Sequence, residues 1–474
     1  MKSILGMYFR VPQVAVLRDL WVVRDSRCGG TGLRVRRPVA PGIYIFVLCL
    51  MTSFACATDL IPASPQTRAI IITGATIHPV NAPPIENGEV EFTNGKLTYV
   101  GGARKFIQAP DADIIEAHGK HVYPGLIDAS TTIGLVEIDA VRATRDTDET
   151  GSINPNAKAI VAINPDSEIS PTVRANGVLI ANVVPQGGLI SGTSGVVQLD
   201  GWTWEEMTLN PASAIIVRWP NMIARRDFDN PAAEAQQIEG RDRQLKQIED
   251  AFDRARQYQL AKKSAEANGS EINFDARDEA MLPLIEGKIP MIVAASEQSQ
   301  IESAVNFATR MNVRVIIYGA SDARYCTELL KSRNVSVILE GSSNLPRNRD
   351  DAYDANFTLP SELRKAGVNF SIASTGAGWN SRNLPFEAGM ACAHGLTPTD
   401  ALASITLWPA QQLGISDRVG SIENGKDATL IITNGDLFEV PTQVEIAFIQ
   451  GRKIDLSNRH LKLFEKYRKR IESK

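Results

Sequence analysis

Between residues 123 and 414, short apolar runs alternate with helical stretches, and few folds accept that pattern. Residues 177–184, 290–295, 313–318, 335–339 and 368–373 are rich in Val, Ile and Leu and read as buried strands. Strands joined through helices run parallel, because the helix carries the chain back to the same edge. A stretch of about 290 residues is the size of one (β/α)8 barrel. The expected class is therefore α/β, with a TIM-like barrel over 123–414.

The flanks have a different texture. Residues 69–73, 88–92 and 96–100 read as strands, with Asn94-Gly95 as a hairpin turn. The pattern returns as 428–432, Asn434-Gly435 and 444–449. Residues 58–122 and 415–458 are thus expected to form one small composite β-sandwich domain from both ends of the mature chain.

The N-terminus reads as an export signal. Arg34, Arg36 and Arg37 precede an apolar run at 43–57 that ends in Ala55-Cys56-Ala57. Basic region, apolar core and small-residue cleavage site make a signal peptide, cut near Ala57, which implies a periplasmic or secreted protein. The run is short for an ordinary spanning helix, so an uncleaved anchor is the lesser alternative. Ser53 stands where a lipobox through Cys56 wants a large aliphatic residue.

Residues 1–57 hold eight of the 50 basic and two of the 54 acidic side chains, so 42 basic and 52 acidic ones remain, a net −10. That balance gives no footprint for nucleic acid. Only Cys326 and Cys392 of five cysteines stay, which excludes a disulfide scaffold.

Two helical stretches stand apart. Residues 232–266 place Ile238, Leu245, Ile248, Phe252 and Ala255 on one face, as expected of a charged helix laid along the barrel. Residues 459–474 form a basic helix with Leu461, Phe464 and Ile471 on one side, expected to dock on its own domain.

One run carries a resemblance. His121-Val122-Tyr123-Pro124-Gly125-Leu126-Ile127-Asp128 resembles the entry into the first barrel strand of the amidohydrolase superfamily. The segments 382–389, 395–397 and 401–410, then Gly420-Ser421-Ile422-Glu423-Asn424-Gly425-Lys426-Asp427-Ala428, resemble the closing part of the imidazolonepropionase-like members. The similarity covers roughly residues 69–452. It implies a metal-dependent hydrolase of C–N bonds, with a divalent ion such as zinc held by imidazoles and a carboxylate at the strand ends.

At those positions the residues depart from the family. Ser130 and Thr132 replace a His-x-His pair, Ala294 stands at the fifth-strand ligand position, and Ser374-Thr375-Gly376 replaces the eighth-strand aspartate. Hydroxyl and methyl groups are poor substitutes for imidazole. The five histidines, at 78, 118, 121, 394 and 460, all fall elsewhere.

No cofactor is therefore expected. Asp128 and Glu297 are candidates for metal-free acid/base work, and Glu137, Arg142 and Arg382 for ligand binding. The glycine-rich stretch 187–195 reads as a barrel loop, or as a loop presenting N–H groups to an anion. No Gly-x-Ser-x-Gly elbow is present.

The favoured reading is a non-catalytic protein that binds a small molecule or pairs with itself or with an active relative. A hydrolase of amide-type C–N bonds with a metal-free or relocated site is the alternative. A structural role for 232–266 in assembly is the third.

Overall fold

The structure, a computed structural model, describes residues 60–104, 111–226 and 230–472. The expected signal peptide lies outside the described residues.

Strands β1 (Ile70–Ile77), β2 (Ile85–Thr93), β3 (Lys96–Gly102), β4 (Asp113–Glu116) and β5 (His121–Pro124) open the chain. They join β14 (Leu430–Thr433), β15 (Val444–Ile449) and β16 (Arg452–Lys453) from its far end. All eight belong to one hydrogen-bonded sheet, where two facing sheets were expected. The hairpin register Thr93↔Lys96 leaves Asn94 and Gly95 as the turn, with φ of 50° and 77°. Those angles are the reason for Asn-Gly there. Phe92 and Phe448 meet edge to face at 5.0 Å in the core of this sheet.

The second sheet has eight strands in sequence order: β6 (Leu126–Thr131), β7 (Val178–Val183), β8 (Ile190–Gln198), β9 (Thr208–Arg218), β10 (Met291–Ala295), β11 (Val315–Gly319), β12 (Ser336–Glu340) and β13 (Phe370–Ala373). Five ladders are parallel, but β8 runs antiparallel to both neighbours, which departs from an eightfold β/α repeat. Between β6 and β13 there is no ladder in the described sheet.

The glycine-rich stretch is thus largely a strand. All nine residues of β8 are buried. A Cβ on Gly195 would come within 2.3 Å of the Ile160 side chain, and one on Gly192 within 2.5 Å of the Ala157 carbonyl. The glycines admit a second layer of backbone, and the N–H groups of Leu189, Ile190 and Thr193 donate to Ser152 and Ala157 carbonyls. They are not held out for an anion.

Helices α1 (Ile169–Arg174), α2 (Trp204–Met207), α3 (Pro231–Asn268), α4 (Ala276–Ile285), α5 (Gln298–Arg310), α6 (Thr327–Ser332), α7 (Ala355–Ala366), α8 (Leu384–Ala393), α9 (Pro398–Ser404), α10 (Leu407–Gln412) and α11 (Arg459–Glu472) complete the chain. After α5, α6 and α7 the backbone turns left-handed at Asn312, Asn334 and Gly367. The next N–H, of Val313, Val335 or Val368, then bonds back to Ala308, Leu330 or Leu363. That cap ends each helix and aims the next strand. Helix α3 packs through part of its expected face: Ile248, Phe252 and Ala255 are fully buried and Phe252 meets Phe307 of α5 edge to face at 5.2 Å, whereas Ile238 is exposed. Helix α11 does not dock as expected, since none of its side chains is buried.

Candidate functional site

The C-terminal ends of the parallel strands surround a cavity of about 610 Å³. Barrels place their chemistry there because the loops, free of ladder constraints, converge at that end. Thr132 follows β6, Gln186 follows β7, Arg218 ends β9, Ala294 and Ala295 end β10, Tyr318 lies in β11 and Glu340 ends β12.

Four guanidinium groups line this cavity, those of Arg145, Arg218, Arg225 and Arg347, beside three carboxyls, Asp139, Glu297 and Glu340. Arg347 is paired with Glu297, and Arg145 stands 3.7 Å from Asp139. Arg218 and Arg225 make no side-chain hydrogen bond or ion pair among the described residues. The Glu340 carboxyl is pushed up from its ordinary value by burial, with the Tyr318 hydroxyl and the Gly376 backbone opposing. Burial likewise raises the Tyr318 phenol, whose hydroxyl also reaches Ser130.

Trp219 is held firmly at the rim. Its N–H donates to the Ala294 carbonyl at 3.1 Å, and its own carbonyl accepts from Gln300 Nε2 at 3.2 Å. Gln300 also accepts from the N–H groups of Ser296 and Glu297 at the start of α5. Among the described residues the indole N–H of Trp219 is buried without a partner, while the Glu297 side chain takes part in a capping box with Gln300. Buried polar atoms left unmatched are uncommon in folded proteins.

Of the residues singled out by sequence, Glu297, Thr132 and Ala294 line the cavity. Ser130 lies behind it, buried at 6% exposure, and Thr375 sits beside Gly341. Asp128 is fully buried and accepts from the N–H groups of Ser130 and Ser374 and the hydroxyls of Ser374 and Ser381. Burial pushes its carboxyl up from the usual range.

Glu137 accepts from Asn164 at 3.3 Å, Arg142 is exposed in a short 3-10 turn, and the Arg382 carbonyl accepts from Asn176. None of these three lines the cavity. Arg218, Trp219, Arg225, Tyr318, Glu340 and Arg347 do, and sequence reading missed them as a set. The available signal is Arg218-Trp219-Pro220 at the end of the apolar run Ala214-Ile215-Ile216-Val217, which lies outside the strands expected from sequence.

Among the described residues no group of three or more His, Cys, Asp or Glu side chains is gathered to hold a metal ion. His78 and His121 meet at 3.0 Å and stack with Tyr123, beside β5 and away from the cavity.

The model of the amidohydrolase family matches residues 294–454. An imidazolonepropionase of Geobacillus kaustophilus is 32% identical over 120 residues, 25% of this chain and 26% of that protein. The amidohydrolase tasK of Hapsidospora irregularis is 20% identical over 386 residues, 76% of this chain and 39% of that protein. The chain thus spans well under half the length of these curated relatives. A solved amidohydrolase of Thermotoga maritima superposes with a TM-score of 0.72 at 25% identity, over 81% of this chain and 99% of that one.

Proposed function

This chain belongs to the amidohydrolase superfamily, and from that premise we propose that it is an exported member whose barrel mouth binds a small anionic molecule in place of a hydrolytic metal. The observation that carries this reading is the donor set. The family's ion needs imidazole and carboxylate ligands at the strand ends, where this chain has Ser130, Thr132, Ala294 and Thr375. The residues present do not fit such an ion.

What the mouth does offer is positive charge. Four guanidiniums face three carboxyls, one of them shifted toward its neutral form by burial. Arg218 and Arg225 remain for a carboxylate or phosphate, which guanidinium recognises through paired N–H donors. The unpartnered Trp219 N–H supplies a further donor.

Metal analysis of the purified chain, with and without added zinc, is expected to find no stoichiometric ion. Calorimetric titration with inorganic phosphate and with N-acetylated amino acids is expected to show binding that Arg218→Ala or Arg225→Ala weakens about tenfold or more. Stoichiometric metal in the barrel, or affinity indifferent to both arginines, overturns the proposal. Export predicts a mature N-terminus at Thr58, read by sequencing the released protein.

A second reading rests on Glu340. A carboxyl raised by burial and hydrogen-bonded to Tyr318 has the character of a general acid. Hydrolysis of N-acyl amino acids, dipeptides or cyclic amides that survives chelator and disappears in Glu340→Gln would support it; no turnover of any of them removes it.

A further inference from the structure

The C-terminal helix α11 spans Arg459–Glu472 and buries none of its side chains against the body of the protein. Its start is capped by Asn458, whose Oδ1 accepts from the Leu461 N–H at 3.0 Å. The helix is therefore built to form, yet its apolar face is uncovered. Leu461, Phe464, Tyr467 and Ile471 are 49, 61, 53 and 74% exposed. With Leu463 they form one continuous stripe, since these positions recur at helical spacing.

The remainder of the helix is cationic. Arg459, Lys462, Lys466, Arg468, Lys469 and Arg470 oppose only Glu465 and Glu472, a net +4 over fourteen residues. Arg468 spans both acids, at 2.6 Å and 3.8 Å. Residues 58–458 carry 35 basic and 50 acidic side chains, a net −15. Positive charge is thus concentrated on a helix whose apolar side is open.

We propose that α11 is an interfacial helix that seats this protein on an anionic lipid surface, with the apolar stripe among the acyl chains and the cations at the headgroups. A helix with low mean hydropathy, a wide apolar face bearing Phe, Leu and Tyr, and a Lys/Arg-rich polar face has that property.

A second copy of the chain is the other occupant to weigh, because its acidic body would attract the helix. Two described cavities of the body do not suit it. One, of about 700 Å³, presents Arg314, Arg333 and Arg364, and the mouth presents four arginines. A lipid surface needs no shaped groove, only apolar depth and negative charge.

The test is co-sedimentation of the purified chain with vesicles of phosphatidylcholine alone and of equal parts phosphatidylcholine and phosphatidylglycerol, together with the oligomeric state by analytical ultracentrifugation. Binding is expected only to the phosphatidylglycerol vesicles, weakened by salt. Phe464→Ser with Ile471→Ser is expected to abolish it. Lys462→Gln with Lys469→Gln is expected to lower it by about thirtyfold. All four positions are unburied or lie on the exposed helix, so the variants should fold with unchanged circular dichroism. No binding to either vesicle, equal binding to both, or a dimer that the same variants dissolve without any vesicle binding overturns the proposal.

Discussion

The carboxyl of Asp128 on β6 accepts the Ser374 hydroxyl at 2.5 Å and the Ser374 N–H at 3.2 Å, across the one edge of the barrel sheet that no strand ladder closes. Ser381 adds a hydroxyl to the same oxygen. Asp128 is thus a clasp between the first strand and the segment that follows the last.

Asp128→Ala is expected to cost about 2–4 kcal/mol, since it strands two buried hydroxyls and two N–H groups. Asp128→Asn should cost less, because the shape and one carbonyl acceptor remain. The pH dependence has a definite sign. Burial raises the folded-state value, so the contribution is complete below the unfolded value of about 3.9 and is lost as pH rises through the raised one. Urea midpoints between mildly acid and neutral pH should fall less steeply in Asp128→Asn than in the parent chain.

Asp200 ties the two sheets together. It is buried between Arg174 at the end of α1 and Arg452 of β16, 3.0 Å from each. Asp200→Ala leaves two guanidiniums largely buried without their anion and is expected to cost about 3–5 kcal/mol. Adding Arg174→Met should recover part of that loss, measured as a Tm difference across the double-mutant cycle.

His78 predicts an acid limit. Burial, then the neighbouring His121, lowers it from 6.5 to about 4. A group that resists protonation only when folded contributes its stability above the unfolded value and loses it as pH falls from about 6.5 to about 4. His78→Phe keeps the stack on Tyr123 and removes the titration. Its stability should therefore be flatter than the parent's across that window, in thermal melts taken at successive pH values.

Trp219→Phe separates fold from binding. The ring still packs on Phe307, 5.3 Å away, while the unpartnered N–H is gone. Stability is expected to change by no more than about 1 kcal/mol. Affinity for the anionic probes should fall several-fold by calorimetry. Unchanged affinity would mean that the indole is a wall of the cavity and not a donor.

Much of the framework was legible in the chain. Alternation in the middle and Asn-Gly hairpins at the ends follow from local rules, because strand burial and turn angles act over a few residues. Five apolar runs became β7, β10, β11, β12 and β13, and the flanking strands met in one sheet. The glycine-rich stretch was harder, since the same residues serve a loop or a strand over which a second chain segment passes. Only the approach of Ile160 and Ala157 distinguishes the two.

The candidate site was legible at single positions and not as a set. The sequence carries the motif from which Ser130, Thr132, Ala294 and Thr375 are proposed at the family's ligand positions, because a motif is a matter of order along the chain. Only the tertiary structure decided that Asp128 closes a seam, that Arg142 and Arg382 stay outside the cavity, and that Arg218, Trp219, Tyr318 and Glu340 share it. It also decided that α11 stands uncovered, which its amphipathic spacing could not distinguish from docking. The physical reason is common to all of these. Burial, hydrogen-bond partners and charge neighbours depend on segments hundreds of residues apart, as between 128 and 374, and only folding brings them within reach.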